Sequence, residues 1–179
     1  MNDKAPKDAQ GMSLAASAAE GSAALVQLPA PELRHFMDLT VEVSEPIEVG
    51  QTQRGQRRLI PIVGGYARTR DWTAKVLPGG ADFQLIATDS LAILEAKYVL
   101  ETEAGDRIYV ENHALRGGPP ELIARLARGE PVDPQHIYFR CVPQFEVAAP
   151  ELQWLTTRVF IGTGARFPDR VVLSIYEVA

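Results

Sequence analysis

Short runs of alternating hydrophobic and polar residues fill most of this chain from residue 31 onward, and they constrain its fold more than any other feature. In residues 37–44, Met37, Leu39, Val41 and Val43 alternate with polar residues. Successive side chains of a β-strand point to opposite faces, so this run predicts a strand with one buried face. Further strands are predicted at residues 58–63, 66–76, 82–88, 91–102, 107–113, 137–147, 155–163 and 171–178.

Glycine and proline residues separate these runs. The most specific separator is LPGGADFQ at residues 77–84. It predicts a tight turn in which at least one of Gly79 and Gly80 has a positive φ, and it places Asp82 at a strand end near the mouth of the fold. The AGD sequence at residues 104–106 lies between two alternating runs and predicts a β-hairpin.

These elements favour an all-β, mostly antiparallel fold that closes into a β-barrel. One short helix is predicted between Pro119 and Arg128, because prolines begin it and Gly129 and Pro131 end it. The chain shows no alternation of strands and helices, and closure removes the exposed edges of a sheet. The predicted barrel is a single domain over residues 31–179. Residues 1–30 are rich in alanine and serine, and we expect a disordered N-terminal tail.

Composition argues against several classes of partner. The net charge of −5 disfavours nucleic acid, since Lys and Arg contacts to phosphates supply much of that affinity. The small cluster of Arg54, Arg57 and Arg58 is interpreted as a solvated loop, with phosphate binding as the alternative. No apolar run approaches the roughly 18 residues of a membrane-spanning helix. A lone Cys141 cannot form an internal disulfide, so we expect a cytoplasmic protein.

Six separated motifs resemble one family of bacterial and fungal proteins. The motifs are IPIVGG at 60–65, LPGGADFQ at 77–84, IYVEN at 108–112, WL at 154–155, FIGTG at 160–164 and IYEV at 175–178. In this order they resemble the family catalogued as domain of unknown function 3237, also called uncharacterised protein family 0311. The resemblance implies a lipocalin-like closed barrel and carries no established activity. It also leads us to expect Asn where this chain has Thr156, so a ligand contact by that Asn would be altered here.

Polar residues on apolar strand faces are the candidate ligand-binding residues. Asn112 continues the row of Ile108 and Val110, and a buried amide needs hydrogen-bond partners. The alternative is that Asn112 caps the end of the hairpin. Tyr98 follows Ala96 in its own row, where a small neighbour leaves space for a ligand. The alternative is a core tyrosine whose hydroxyl has a partner.

Asp82 and His113 are the candidates for acid/base chemistry. Asp82 follows the glycine turn and could orient a ligand, or act as a base if burial raised its pKa. The alternative is an aspartate that accepts backbone hydrogen bonds in the turn. His113 ends its strand and could serve as a proton shuttle at the barrel mouth, although alternation points it away from the row of Ile108. Cys141 is interpreted as a small core residue, and no metal site is expected because the three histidines are scattered.

We expect a small-molecule-binding barrel with an apolar lumen, a small apolar or aromatic ligand and no cofactor. The alternative is a cofactor-independent isomerase, cyclase or hydratase, with Asp82 or His113 as acid/base and Asn112 or Tyr98 as the hydrogen-bond donor. The third hypothesis is a self-associating scaffold protein with a filled core. The outward row that contains Arg140 would suit contact with a partner subunit in a homo-oligomer.

Overall fold

The structure, a computed structural model, describes residues 27–179, so residues 1–26 of the predicted tail lie outside the described residues. Within this range the chain forms ten β-strands, one α-helix and two 3-10 segments. The strands are β1 (Leu33–Val43), β2 (Ile47–Thr52), β3 (Gly55–Thr69), β4 (Thr73–Val76), β5 (Ala81–Ile86), β6 (Leu91–Thr102), β7 (Arg107–Gly117), β8 (Tyr138–Val147), β9 (Val159–Arg166) and β10 (Arg170–Val178). The helix is α1 (Pro120–Ala127), and the 3-10 segments are Pro134–His136 and Pro150–Thr157.

The strands close into an antiparallel barrel with eight positions around its wall. Closure occurs at β1, which pairs with β10 on one side and with β3 on the other. From β1 the order continues through β10, β9, β8, β7 and β6 to β4 and β5, which share one position, and then to β3. The predicted all-β, closed-barrel fold class is therefore confirmed. Strand β2 extends β1 along β3, with Ile47 opposite Leu59.

The LPGG segment interrupts one barrel strand and does not reverse the chain. Strands β4 and β5 both run antiparallel to β3 and to β6, so the chain keeps its direction through residues 77–80. The amide of Leu77 donates to Val99 O (2.8 Å), and the amide of Gly79 donates to Ile62 O (3.3 Å). Gly79 has the expected positive φ, at 106°. Asp82 is the second residue of β5, and it pairs with Ala96 near the middle of β6.

Other elements also differ from the prediction. The expected strand 66–76 is a hairpin, because β3 continues to Thr69 and the chain reverses before β4. The Thr69 hydroxyl accepts hydrogen bonds from the amides of Asp71 and Trp72 and forms this turn without glycine or proline. The expected strand 155–163 begins only at Val159, because Pro150 starts a 3-10 segment that extends to Thr157. Strand β2 was not predicted.

Aromatic side chains fill the end of the barrel where the β6–β7 hairpin turns. Phe160 lies at their centre, with its ring centroid 5.0 Å from that of Phe36 and 5.1 Å from that of Phe145. Trp72 and Trp154 complete the group around Phe36. Because these rings pack closely, the interior space of the barrel lies toward the opposite end, where α1 follows β7.

Candidate functional site

A cavity of about 300 Å³ lies inside the barrel at the α1 end. This volume is at the lower limit of about 300–1,000 Å³ that is usual for ligand pockets. Its mouth is formed by residues 44–46 between β1 and β2, by residues 127–129 at the end of α1, and by Pro168 between β9 and β10. Its apolar wall consists of inward-facing residues of five strands: Val41, Ile60, Ile62, Leu94, Ala96, Phe139 and Leu173.

The structure brings Asp82, Tyr98 and Asn112 to this cavity. Asp82 of β5 lies opposite Ala96 of β6, and Ala96 lies opposite Asn112 of β7, so these three residues form one row across adjacent strands. Tyr98 is two residues further along β6 and points to the same face. The small side chain of Ala96 leaves space between the carboxyl and the amide, where one ligand group can reach both.

Three buried oxygen atoms in this wall have no hydrogen-bond partner among the described residues. They are Asp82 Oδ1, Tyr98 Oη and Asn112 Oδ1. A buried polar atom without a partner costs about 1–3 kcal/mol, and nearly all such atoms in native proteins are paired. The residues that carry these three atoms all line the cavity.

A hydrogen-bonded chain leads from Asp82 through Gln84 to Arg58. Gln84 Nε2 donates to Asp82 Oδ2 (2.5 Å), and Gln84 Oε1 accepts from Arg58 Nε (2.9 Å). Burial raises the pKa of Asp82, while the Gln84 hydrogen bond and the nearby Arg116 and Arg58 oppose that rise. The chain provides a hydrogen-bond partner for Oδ2 of the carboxyl group, whereas Oδ1 has none among the described residues.

Tyr98 and Asn112 lie within regular strands, β6 and β7. Burial raises the pKa of Tyr98, so its hydroxyl stays protonated and can donate a hydrogen bond. Asn112 lies in mid-strand, opposite both Ala96 and Pro143, so it does not cap the hairpin. Its amide is beside the Cys141 thiol, whose pKa burial raises to about 11. Cys141 is 1% exposed and behaves as the small core residue that was expected.

Arg116 is the functional candidate that the sequence analysis missed. Strand β7 was expected to end at His113, but it continues to Gly117, so Arg116 extends the inward row that contains Asn112. The residue is only 5% exposed and lines the cavity. Burial lowers the pKa of Arg116 to about 10, so the guanidinium remains charged at neutral pH. Within residues 27–179 this guanidinium makes no hydrogen bond and no ion pair.

Two further arginines lie near Arg116. Arg58 shares the inward row of Ile60 and is half-buried, so the interpretation of the cluster at residues 54–58 as a solvated loop was wrong for this residue. Arg166 of β9 lines the cavity and donates from Nη1 to Leu126 O of α1. Burial lowers the pKa of Arg166, and the charge of Arg58 adds to the effect. These arginines and Leu126 of α1 also line a second, small apolar cavity of about 70 Å³.

Two residues singled out from the sequence lie away from the cavity. His113 is on the outer face of β7, where its Nε2 lies 3.0 Å from Glu111 Oε1. Thr156 is exposed in the second 3-10 segment and donates from Oγ1 to Gln153 O (2.8 Å). Their side chains belong to the outer surface, so neither can contact a molecule inside the barrel.

Two general features are absent from the part of the chain that the structure describes. Residues 27–179 contain no group of three or more His, Cys, Asp or Glu side chains arranged to hold a metal ion. Over the same range no helix has the length and hydropathy that crossing a membrane requires.

Comparisons with known proteins agree with this architecture. A family model described as Protein of unknown function (DUF3237) matches residues 31–178. A UPF0311 protein of Rhodopseudomonas palustris is 45% identical over 150 residues, which cover 84% of this chain and 98% of that protein. The crystal structure of a conserved protein of unknown function from the same species has a TM-score of 0.81 at 44% identity, covering 86% of this chain and 100% of the other. A beta-barrel like protein from Acinetobacter baumannii has a TM-score of 0.75 at 32% identity, covering 86% and 99%.

Proposed function

We propose that this chain, which belongs to the DUF3237 family of proteins of unknown function, binds one small molecule inside its barrel. The observation that carries the proposal is a set of three buried oxygen atoms that have no partner among the described residues and whose residues line one cavity: Asp82 Oδ1, Tyr98 Oη and Asn112 Oδ1. Three such atoms in a packed core would cost several kcal/mol in total, at about 1–3 kcal/mol each. A bound molecule that hydrogen-bonds to them removes this cost.

The remaining wall defines the kind of molecule. Val41, Ile62, Leu94, Phe139 and Leu173 present hydrocarbon to the cavity and suit an apolar or aromatic body. The three unpartnered oxygen atoms lie on three adjacent strands, β5, β6 and β7. The ligand therefore has an apolar body with polar groups on one side, and the small volume limits it to about one or two rings.

A cavity-filling variant tests the proposal. Ala96→Leu places a larger side chain between Asp82 and Asn112 and should abolish binding with little loss of stability. Tyr98→Phe should weaken binding of hydroxyl-bearing or carbonyl-bearing molecules about 5- to 30-fold, equivalent to one hydrogen bond of about 1–2 kcal/mol. The measurement is saturation-transfer NMR and calorimetry with a panel of small aromatic phenols and acids that includes 2-naphthol and 2-naphthoate.

Tyr109→Phe is the matched control for this experiment. Tyr109 lies on the outward face of β7, so loss of its hydroxyl should leave binding unchanged. The proposal fails if no member of the panel shows saturable binding, or if Ala96→Leu binds as well as the wild type.

One observation favours a second candidate function, a cofactor-independent enzyme. Burial raises the pKa of Asp82, which moves this carboxyl toward the range in which it exchanges protons with a substrate near neutral pH. An ionised Asp82 would take a proton from a carbon acid and return it at another position, while the Tyr98 hydroxyl would donate to the oxygen that gains charge. Asp82→Asn separates the two functions, because it preserves the shape of the cavity and removes the proton acceptor.

A further inference from the structure

We infer that the ligand of this barrel carries a carboxylate group and that Arg116 binds it. The inference rests on the proposed function and names the class of molecule bound. The fold buries the Arg116 guanidinium without an ion-pair partner among residues 27–179. Among residues 27–179 no carboxylate oxygen lies within ion-pair distance of the Arg116 guanidinium, although the residue is only 5% exposed.

Burial without a partner is costly for an arginine. The effective penalty of removing an ion from water is several kcal/mol, and buried charges in proteins are ordinarily paired. Asp82 is near enough to interact electrostatically with Arg116, but it forms no ion pair with it. Asp82 Oδ2 already accepts a hydrogen bond from Gln84. The Arg116 guanidinium therefore lines the cavity as a charged donor to which no acceptor of residues 27–179 is bonded.

The surrounding charges leave an excess of positive potential. The charged groups that act on Arg116 are Arg58 of β3, Asp82 of β5 and Arg166 of β9. Glu45 of the β1–β2 link acts on Arg166 and also lines the cavity. These groups and Arg116 amount to three cations against two carboxyl groups. Burial favours the neutral form of Asp82. One added negative charge would bring the cluster close to neutrality.

The donors of the three arginines are not equally available. Arg58 Nε is bonded to Gln84, and Arg166 Nη1 is bonded to Leu126 O at the end of α1. The whole guanidinium of Arg116 remains available to a ligand. Its planar fork matches the two oxygens of a carboxylate and allows two parallel hydrogen bonds.

The position of Arg116 also fits a molecule that spans the cavity. Arg116 borders both the main cavity and the small cavity beneath α1. It is four residues from Asn112 along β7, a backbone distance of about 13 Å at 3.3 Å per residue, and the length of its own side chain shortens the remaining gap. A ligand whose carboxylate is held by Arg116 would thus lay its aromatic body against Leu94 and Ala96 of β6. The far end of this ligand would lie near Asn112 and Tyr98.

The test compares three probes that share one ring system. Calorimetry at pH 7 measures the affinities of 2-naphthoate, neutral 2-naphthamide and 2-naphthyl phosphate for the wild-type chain, for Arg116→Met and for Arg54→Met. We expect the wild type to bind the carboxylate at least tenfold more tightly than the amide. Arg116→Met should lose this preference and retain or gain thermal stability. Arg54 is exposed in the β2–β3 turn, so Arg54→Met should keep the preference.

Each other outcome overturns a defined part of the argument. Equal binding of the carboxylate and the amide by the wild type, or a preference that survives in Arg116→Met, refutes the role of Arg116. Tighter binding of the phosphate ester than of the carboxylate refutes the ligand class. If only neutral probes bind, and Ala96→Leu abolishes that binding, the proposed function stands without a carboxylate; if no probe binds, both fall. If Arg116→Met does not fold, the wild-type comparison still decides the ligand class.

Discussion

Asp82 and Arg116 respond in opposite directions to the same burial. Loss of water disfavours the charged form of each, so it raises the pKa of the acid and lowers that of the base. With a pKa of about 10, Arg116 stays charged at neutral pH, whereas the carboxyl group starts much closer to its protonated form. The interior thus contains one permanent cation and one titratable acid, which is a suitable arrangement for binding an anion.

The shift of Asp82 makes a prediction about stability and pH. The folded-state pKa is above the unfolded value of about 3.9, so between the two values the folded chain binds more protons than the unfolded chain. The contribution of Asp82 to stability is therefore greatest below the unfolded pKa, and it is lost as the pH rises through the folded pKa. Asp82→Asn should be at least as stable as wild type at pH 7, with a smaller decline in the free energy of unfolding above pH 4. Denaturant titrations from pH 4 to pH 8 measure this, and parallel profiles for the two proteins would contradict it.

At the residue scale, period-two alternation predicted more of the cavity than composition did. Tyr98 and Asn112 could be assigned to inward rows because apolar residues precede them at two-residue spacing. Arg116 stands in the same register as Asn112, but an arginine near a strand end is normally a surface residue, so the row was ended too early. Arg58 was missed for a related reason, since its neighbours Arg54 and Arg57 made the segment read as a polar loop. The signal for both residues was their even spacing from Asn112 and Ile60.

At the scale of elements, the LPGG segment determines how β4 and β5 share one barrel position. Gly79 and Gly80 are both needed there, for different physical reasons. Gly79 has a φ of 106°, a conformation that residues with a Cβ rarely adopt. An added Cβ at this position would have no other atom within 4 Å. Gly80 has an ordinary φ, but a Cβ there would lie 2.5 Å from Lys97 O and 2.6 Å from Tyr98 Cβ. The first glycine permits the backbone conformation, and the second lets the chain approach β6.

This distinction predicts different results for two alanine substitutions. Gly79→Ala should cost about 1 kcal/mol of backbone strain and leave ligand affinity unchanged. Gly80→Ala should cost more, about 1–3 kcal/mol or above, because β6 has to move. It should also weaken binding, since the collision displaces Tyr98. Urea denaturation and 2-naphthol titration measure the two effects, and equal behaviour of the variants would show that the close approach to β6 is not needed.

Elements joined by turns with glycine or proline were predicted better than those joined in other ways. The β6–β7 hairpin has Gly105 at a φ of 89° in its turn. Strand β6 was expected at its observed bounds and β7 at its observed start, although not at its observed end. The β3–β4 hairpin has no such signal, because the Thr69 side chain replaces it with hydrogen bonds to the turn amides. Pairing between distant strands, such as β1 with β3 and β10, depends on closure of the whole sheet, and local patterns cannot specify it.

At the scale of the whole barrel, the interior divides into a packed end and an open end. Phe160 and its aromatic neighbours fill the end near the β6–β7 turn, while Phe139 faces the cavity at the end near α1. Core aromatics with neighbours on all sides contribute most to stability, whereas a ring that borders a cavity has contacts on one side only. We therefore assign most of the stability to one end of the barrel and the proposed ligand binding to the other.

Two phenylalanine substitutions test this division. Phe160→Ala should lower the free energy of unfolding by about 3–5 kcal/mol, because the residue is 1% exposed and touches several rings. The fraction that remains folded should bind 2-naphthol with wild-type affinity. Phe139→Ala should cost less, because part of its ring already faces empty space, and it should change the affinity by enlarging the cavity. Chemical denaturation and calorimetry on the same samples separate the two effects. A loss of affinity in Phe160→Ala as large as that in Phe139→Ala would mean that the packed end shapes the ligand site, so that the barrel acts as one unit in binding.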